Sequence, residues 1–278
     1  MVQREPVEVT WDLDPILLRG GSIPLRYYGL VFALTVVAGF FLFRWQMRRG
    51  GRPDRESGVV LGYAIAATVV GARLGHCLFY DLERSLRSWG LFLLKVWQGG
   101  LSSHGAAAGL VVALWLFSRR SRIPFAEVTD RFSFTAALGA CTIRLANFLN
   151  SEIVGRPTDG SWGVRFPRHD RGLPLSRVPL RHPSQLYEAA LGLGVLAVLL
   201  AVDRRLGEDR RRGLLSALFL VLYFAGRLVV ELFKEHQALS PGSPLTMGQI
   251  LSVPPLLWGA IWLGKLARGS SIRPAPDR

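Results

Sequence analysis

Seven stretches of predominantly apolar residues, most of them long enough to cross a lipid bilayer, occupy much of this chain. A hydrocarbon core about 30 Å thick requires about 20 apolar residues per helix, and only helices or closed barrels satisfy every backbone polar group inside it. The stretches are residues 25–43, 58–80, 101–117, 132–149, 185–202, 214–233 and 250–265. The third and seventh are short, and Pro254 and Pro255 lie inside the seventh. We predict an all-α integral membrane protein with about seven transmembrane helices and a single membrane domain over residues 1–278.

The composition excludes several other classes of protein. The apolar set makes up 50% of the residues and charged residues only 19%, whereas a soluble domain carries about 25% charged residues and a disordered chain has low hydrophobicity. The two cysteines, Cys77 and Cys141, lie in separate apolar stretches, which argues against a disulfide framework. The net charge of +14 comes from short basic clusters between apolar stretches and not from one basic face. We therefore expect no nucleic-acid partner.

The distribution of basic residues sets the expected orientation in the membrane. With the N-terminus outside and residues at the very ends of spans counted with the adjoining segments, 18 of the 34 Lys and Arg residues fall on the inner side and 13 on the outer side, and 3 lie deep inside the spans. Six of the outer ones lie in the long stretch 151–184, to which the positive-inside rule gives little weight. We predict an N-out, C-in topology, with residues 151–184 as a small periplasmic head or loop. A short apolar run at residues 91–94, between two tryptophans, is expected to form an interfacial helix.

Polar groups converge on one level of the predicted bundle. With a rise of 1.5 Å per residue, Arg73, Arg144 and Arg227 lie about 18–22 Å from the inner ends of their spans, in the outer half of the bilayer. The spans that enter from outside begin with polar groups, at residues 26–28, 102–104, 185–188 and 246–249. This convergence predicts a functional site in the outer half of the membrane.

A deep arginine costs several kcal/mol unless it is paired or faces a wet cavity. Snorkelling to the headgroups or a helix-orienting ion pair would also explain such a residue, and for Arg73 both interpretations stay open. Tyr223, Arg227 and Glu231 follow one another at intervals of four and share one helix face, which does not suit a lipid-facing surface.

Arg144 has amide and carboxylate neighbours, namely Asn147, Asn150 and Glu152. Two arginines with amides suit a phosphate-bearing ligand, because the guanidinium group offers a fixed fork of donors to its oxygens. His104 lies at a helix mouth, as either a solvated interfacial residue or a group that meets a ligand. Since the chain has no His-Glu-x-x-His, Walker or Gly-x-Gly-x-x-Gly motif, we expect no metal and no cofactor.

Residues 144–158 (Arg-Leu-Ala-Asn-Phe-Leu-Asn-Ser-Glu-Ile-Val-Gly-Arg-Pro-Thr) closely resemble the signature of the bacterial prolipoprotein diacylglyceryl transferases. Further matches occur in the order of that family, at residues 26–30, 71–75, 99–105, 181–188, 223–231 and 245–249. The resemblance covers about residues 14–263, nearly the whole chain.

This resemblance implies a multi-pass enzyme of the bacterial inner (cytoplasmic) membrane, with its active site toward the outer leaflet. Such an enzyme transfers the diacylglyceryl group of phosphatidylglycerol to the lipobox cysteine thiol of a preprolipoprotein signal peptide. The products are a thioether and glycerol phosphate, in the first step of lipoprotein maturation. The expected partners are phosphatidylglycerol, the lipobox-containing signal peptide and membrane lipids.

The family motifs and the polar level together assign residues to the site. The predicted catalytic residues are His104, Arg144, Arg227 and Tyr223. The predicted substrate-binding residues are Arg73, Tyr28, Asn147, Asn150, Glu152, Gly155, Glu231 and Gln249. The chain departs from the family pattern where Ile143, Ala146 and Ala106 replace glycines, which leaves helix packing beside Arg144 and the acyl-chain preference open.

Displacement of a phosphate ester requires stabilisation of charge on the leaving phosphate, the role expected for the two catalytic arginines. The incoming thiol must lose its proton, since the thiolate is the nucleophile. His104 is the candidate base, or it positions lipid while the arginines favour the thiolate. Two other classes of membrane protein predict different features. A transporter for an anionic solute would place polar residues at the midplane, in repeated halves, and we find no such repeat. A lipid-binding scaffold without chemistry would tolerate loss of His104.

Overall fold

The computed structural model describes residues 7–20, 24–79, 81–82, 102–159, 162–235 and 243–269. The expected interfacial helix at residues 91–94 lies outside the described residues. Within them the chain forms seven long helices: α1 (Tyr27–Arg49), α2 (Asp54–Phe79), α3 (Ser103–Ser121), α4 (Phe125–Leu149), α5 (Ser184–Leu206), α6 (Leu214–Val230) and α7 (Met247–Ala267).

Six of these helices, all except α3, are long and apolar enough to cross a membrane. The prediction of an all-α integral membrane protein is therefore confirmed. Helix α3 covers the third predicted span but is only 19 residues long, starts at Ser103 and has Arg119 and Arg120 in its last turn. A membrane-spanning role for α3 stays a prediction.

Several helices extend beyond the predicted apolar spans. Helix α4 begins at Phe125 instead of residue 132, and α1 continues through Arg48 and Arg49. The reason is physical: helical hydrogen bonding does not stop where the hydrocarbon region ends, so the polar flanks stay helical. In α7 the helix continues through Pro254 and Pro255.

The chain divides into two compact units, one comprising Phe43–Arg131 and the other Met1–Leu42 with Phe132–Arg278. In the first unit, α2 packs closely on α3. A Cβ atom at Gly109 would lie 2.1 Å from the Ala67 carbonyl oxygen, so only glycine permits this approach of the two backbones. The backbone N–H of Ser102 donates to the Ala72 carbonyl at 2.9 Å, and its side chain caps α3. The start of α3 is thus anchored on α2.

Basic residues near the other end of this unit form a buried ion-pair network. Arg52 donates to both carboxylate oxygens of Glu127 at 3.0 and 2.9 Å. Arg131 contacts the same carboxylate at 3.1 Å and donates to the Gln46 carbonyl at 2.5 Å. These arginines hold the ends of α1 and α4 together within the unit, a structural role.

In the second unit, α6 packs against both α5 and α7. A buried apolar cluster joins α4, α5 and α6, and its members are Phe134, Ala137, Val195, Leu199, Leu215 and Tyr223. Four helices have one end on the same side of this bundle: Leu149 ends α4, Ser184 begins α5, Val230 ends α6 and Met247 begins α7. Polar residues near these helix ends can therefore come together.

The second unit also contains a small sheet that the all-helical prediction did not include. Strand β1 (Val7–Thr10) pairs in parallel with β4 (Trp162–Arg165), which pairs in antiparallel fashion with β5 (Leu180–Arg181). A separate pair is formed by β2 (Ile16–Leu18) and β3 (Leu25–Arg26). Val154, Val164 and Phe166 form a buried cluster beneath the larger sheet, with Trp11 and Phe148 packed against it.

Arg181 connects this sheet to the segments around it. Its guanidinium donates to both oxygens of Asp170 at 2.9 and 2.7 Å and to the Gly155 carbonyl at 3.2 Å, and Glu235 lies 3.3 Å away. Burial opposes the charged form of Arg181, but its pKa is raised above the ordinary value because Asp170 and Glu235 together outweigh burial. The segment that leads into α5 is therefore fixed by a partly buried ion pair.

Candidate active site

A fully buried carboxylate, Glu188, joins three cations from three different segments. It lies in the second turn of α5 and is 0% exposed. Its Oε2 atom is 2.8 Å from Arg144 Nε of α4 and 3.6 Å from Lys234 Nζ. Its Oε1 atom is 3.8 Å from Arg227 Nη1 of α6. The two predicted catalytic arginines therefore meet on one side chain, although they are more than 80 positions apart in the sequence.

A second buried carboxylate, Glu231, contacts two of the same cations. Lys234 Nζ lies 2.7 Å from Glu231 Oε1, and Arg227 Nη2 lies 3.5 Å from the same atom. The Thr246 hydroxyl donates to Glu231 Oε2 at 2.9 Å. Because Thr246 is the N-cap of α7, Glu231 sits at the positive end of that helix dipole, where a carboxylate is stabilised.

Gln249, a predicted substrate-binding residue, has a structural partner here. Its side-chain oxygen accepts from the backbone N–H of Thr246 at 3.0 Å, and the Thr246 hydroxyl accepts from the backbone N–H of Gln249 at 3.1 Å. This reciprocal capping box fixes the start of α7. Substrate contact by Gln249 stays a prediction.

Three cations and two carboxylates give this cluster a net charge of +1. The side chain of Glu188 is 1% exposed, whereas those of Arg144 and Arg227 are 14% and 22% exposed. The carboxylate thus lies on the buried side of the cluster, and the guanidinium groups lie nearer the accessible side. Such an arrangement can bind a phosphate through charge-assisted hydrogen bonds.

The last turn of α4 and the turn that follows it hold three of the predicted substrate-binding residues, Asn147, Asn150 and Glu152. Asn147 accepts a hydrogen bond from Arg144 Nη1 at 3.1 Å, and Asn150 donates to Glu152 at 3.3 Å. Ser151 and Ile153 have positive φ angles of 54° and 56°, which is rare for a β-branched residue such as Ile153. A strained turn persists only when its surroundings fix it.

The surroundings of this turn come from the start of α5. Gln185 donates to the Glu152 carbonyl at 2.8 Å, and the Ser184 hydroxyl donates to the Ile153 carbonyl at 3.2 Å. Both Ser184 and Gln185 are fully buried. The residues that begin α5 therefore fix the turn that carries Asn150 and Glu152, and the same helix supplies Glu188.

An open cavity of about 460 Å³ adjoins the turn. Its lining residues are Pro24, Leu25, Arg26, Tyr28, Gly29, Asn150 and Glu152. The Asn150 side-chain oxygen is buried and has no hydrogen-bond partner within the described residues. Asn150 and Glu152 of this lining follow α4 within three positions, so the cavity adjoins the helix end that carries Arg144. Three predicted substrate-binding residues, Tyr28, Asn150 and Glu152, share this cavity.

Gly155 acts through its backbone. A Cβ atom there would lie 2.3 Å from the His182 carbonyl oxygen and 2.7 Å from the Phe233 carbonyl oxygen. The Gly155 N–H donates to the His182 carbonyl at 3.1 Å, and the N–H of Arg156 donates to the Phe233 carbonyl at 2.9 Å. Glycine is required here because the segments that follow α4, precede α5 and follow α6 come into direct backbone contact.

Tyr223 lies one turn before Arg227 on α6 and is buried. Its ring stacks on Phe219, with centroids 5.5 Å apart and an interplanar angle of 6°. The sequence spacing predicts that Tyr223, Arg227 and Glu231 share one face, and the 3.5 Å approach of Arg227 to Glu231 agrees with that prediction.

The remaining two predicted site residues, Arg73 and His104, belong to the compact unit Phe43–Arg131. Arg73 is 3% exposed in α2, and His104 is exposed in the first turn of α3. Their proposed roles stay predictions. In the part of the chain described, no three His, Cys, Asp or Glu side chains lie close enough together to hold a metal ion.

The sequence alone did not indicate that Glu188, Lys234 and Thr246 belong to the site. Glu188 is the last residue of the polar group 185–188 at the start of its predicted span. Its depth in the membrane was the signal that could have indicated a role in the site. Lys234 is one of the basic residues of the predicted outer segments. Nothing in its local sequence indicates that its side chain contacts Glu231.

Fold and site together define a multi-pass membrane protein with a buried, net positive cluster at one end of its helices. A family model described as prolipoprotein diacylglyceryl transferase matches residues 15–264. The chain belongs to the prolipoprotein diacylglyceryl transferase family, and it is a transferase.

Similar proteins share nearly its full length. It is 43% identical to a phosphatidylglycerol–prolipoprotein diacylglyceryl transferase of Tolumonas auensis over 253 residues, which are 90% of this chain and 95% of that protein. A protein of the same name from Chloroherpeton thalassium is 38% identical over 255 residues, 91% of this chain and 92% of the relative. One from Bacteroides fragilis is 32% identical over 279 residues, covering 96% and 98%.

Proposed function

We propose that this protein transfers the diacylglyceryl group of phosphatidylglycerol to the thiol of the lipobox cysteine in a preprolipoprotein. The observation that carries the proposal is the meeting of Arg144 and Arg227, from two helices, on the buried carboxylate of Glu188. In a member of this family, a net positive cluster beside an open cavity is suited to the phosphate of an anionic lipid.

The reaction breaks the bond between the phosphate oxygen and the glycerol carbon of the diacylglyceryl group. A bond from the cysteine sulfur to that carbon replaces it, the thiol proton passes to a base, and glycerol phosphate leaves. Arg144 and Arg227 stabilise the negative charge on the leaving phosphate, which preorganised cations do best in a site of low dielectric constant.

The identity of the base is part of the proposal. His104, exposed at the start of α3, accepts the thiol proton as a general base. In the alternative, His104 positions lipid, and the positive field of the arginines favours the thiolate.

The cavity lined by Tyr28, Asn150 and Glu152 receives the polar part of a substrate next to the cations. Both substrates are amphiphiles and enter from the bilayer between helices. The site faces the outer leaflet of the inner membrane, in an N-out, C-in topology, and residues 151–184 form the periplasmic head. Basic residues at the opposite ends of α5 and α7, Arg204, Arg205 and Lys265, support that orientation.

The test is reconstitution of the full chain in phosphatidylglycerol vesicles with a lipobox peptide, reading the mass gain on its cysteine. Arg144→Ala and Arg227→Ala should each abolish the mass gain, while the protein still inserts and folds. Arg177→Ala, at an exposed position in the segment before β5, is the control and should retain activity. No mass gain with the wild-type protein, or full activity in either arginine variant, would refute the proposal.

A further inference from the structure

We propose that Glu188 is a positioning residue for the transfer, which holds the guanidinium groups of Arg144 and Arg227 in one fixed arrangement toward the leaving phosphate. This inference rests on the proposed function and extends it to a residue whose side chain lies behind the cations. Substrate contacts the arginines, and Glu188 acts through them.

The first observation is the geometry of the contacts. Glu188 approaches Arg144 at its Nε edge, at 2.8 Å, and Arg227 at Nη1, at 3.8 Å. A guanidinium group carries five N–H donors in a planar fork, so an ion pair on one side restrains the position of the group and leaves donors for a second anion. Since Glu188 is 1% exposed and the arginines are 14% and 22% exposed, the restrained guanidinium groups lie on the accessible side of the carboxylate.

The second observation is how Glu188 is stabilised. Both carboxylate oxygens are buried and have no hydrogen-bond partner within the described residues. By contrast, the neighbouring Glu231 accepts from the Thr246 hydroxyl. A buried charge without such bonds is costly unless cations compensate it. The cations that compensate Glu188 are Arg144, Arg227 and Lys234, the groups best suited to the phosphate.

Replacement of the carboxylate by an amide has two separable effects. Removal of one negative charge raises the net charge of the cluster from +1 to +2, which strengthens the attraction for an anion. At the same time the like-charged arginines lose their common partner and move apart, and a misplacement of about 1 Å can cost about 10²-fold in rate. Affinity for an anion should therefore rise while turnover falls, and a purely structural role predicts no such split.

Helix α5 offers a matched control in Asp203, near its other end. Asp203 is also 0% exposed, and Arg210 Nη1 lies 2.8 Å from its carboxylate. Asp203→Asn thus weakens a buried carboxylate–arginine pair on the same helix without touching the cation cluster. Any general loss from a damaged buried ion pair should occur in both variants.

The experiment compares wild-type protein, Glu188→Gln and Asp203→Asn in phosphatidylglycerol vesicles with a lipobox peptide. Rates are normalised to folded protein, and glycerol phosphate is titrated both as an inhibitor of transfer and, by calorimetry, as a ligand. For Glu188→Gln we expect kcat to fall at least tenfold while glycerol phosphate binds severalfold more tightly. Both quantities should stay within twofold of wild type in Asp203→Asn.

A kcat of Glu188→Gln within threefold of wild type, or unchanged or weaker binding of glycerol phosphate, would overturn the inference. Glu188→Asp keeps the negative charge but shortens the side chain by one methylene group. This variant replaces Glu188→Gln in the experiment if Glu188→Gln does not fold. It should lower kcat at least threefold with glycerol phosphate affinity within twofold of wild type, and an unreduced kcat would also overturn the inference. If the wild-type protein forms no thioether, the proposed function fails, and the calorimetric comparison still tests the charge role of Glu188.

Discussion

Gly155 provides the most stringent test of how the backbone positions the site. Alanine at this position would place its Cβ 2.3 Å from the His182 carbonyl oxygen and 2.7 Å from that of Phe233. Ordinary contact begins at 3.4 Å, so at least one segment must move by about 1 Å. Both clashing atoms belong to the backbone, and no side-chain rotation relieves the contact. Overpacking of this kind costs about 1–3 kcal/mol of stability.

The functional loss from Gly155→Ala should exceed the loss of stability. The segment of His182 leads into α5 and Glu188, and the segment of Phe233 leads into Lys234. A shift of about 1 Å between them changes the spacing of the cation cluster, for which we expect a loss of about 10- to 100-fold in kcat. The assay is thioether formation on a lipobox peptide in phosphatidylglycerol vesicles, normalised to folded protein.

Gly194→Ala on α5 is the control for Gly155→Ala. A Cβ atom at Gly194 meets no atom within 4 Å, and the change from glycine to alanine inside a helix stabilises it by about 0.5–1 kcal/mol. Activity should be unchanged and thermal stability equal or higher. If Gly155→Ala retained full activity, the reasoning from the backbone contacts would be wrong.

Two further predictions concern the segments outside the membrane. Arg181→Met should lower stability by about 2 kcal/mol, because the partly buried carboxylate of Asp170 would lose its bidentate partner. Thermal unfolding in detergent measures this, and the double variant Arg181→Met/Asp170→Asn should recover part of the loss. An unchanged stability of the single variant would contradict the expectation. The second prediction tests the topology in a variant whose two cysteines, Cys77 and Cys141, are replaced by alanine. In intact cells, Arg168→Cys should react with a membrane-impermeant thiol reagent and Arg211→Cys should not. The reverse labelling pattern would overturn the N-out, C-in topology.

Local patterns in the sequence were sufficient for the class of protein and for the common depth of two of the candidate site residues. Apolar stretches of bilayer length predict helices because each helix satisfies its own backbone hydrogen bonds, without a distant partner. The spacing of Tyr223, Arg227 and Glu231 likewise predicts a shared face, since it depends only on the pitch of one helix. The depth of Arg144 and Arg227 predicted that they belong to one level of the protein.

The sequence did not predict the small sheet. Strand β1 pairs with β4 across more than 150 residues, and each strand has only four residues. A pairing of this kind depends on where the helices bring the chain, and short strands carry little periodic signal of their own.

The partners of the arginines were also decided by the tertiary structure. Sequence depth placed Arg144 and Arg227 at one level but could not indicate that Glu188 lies between them or that Lys234 turns back toward the same carboxylate. The physical reason is that ion pairs between helices depend on the rotation of each helix about its axis, which packing fixes. Hydropathy and spacing thus determined which residues lie at the site's depth, and packing of α4, α5 and α6 determined which charges meet.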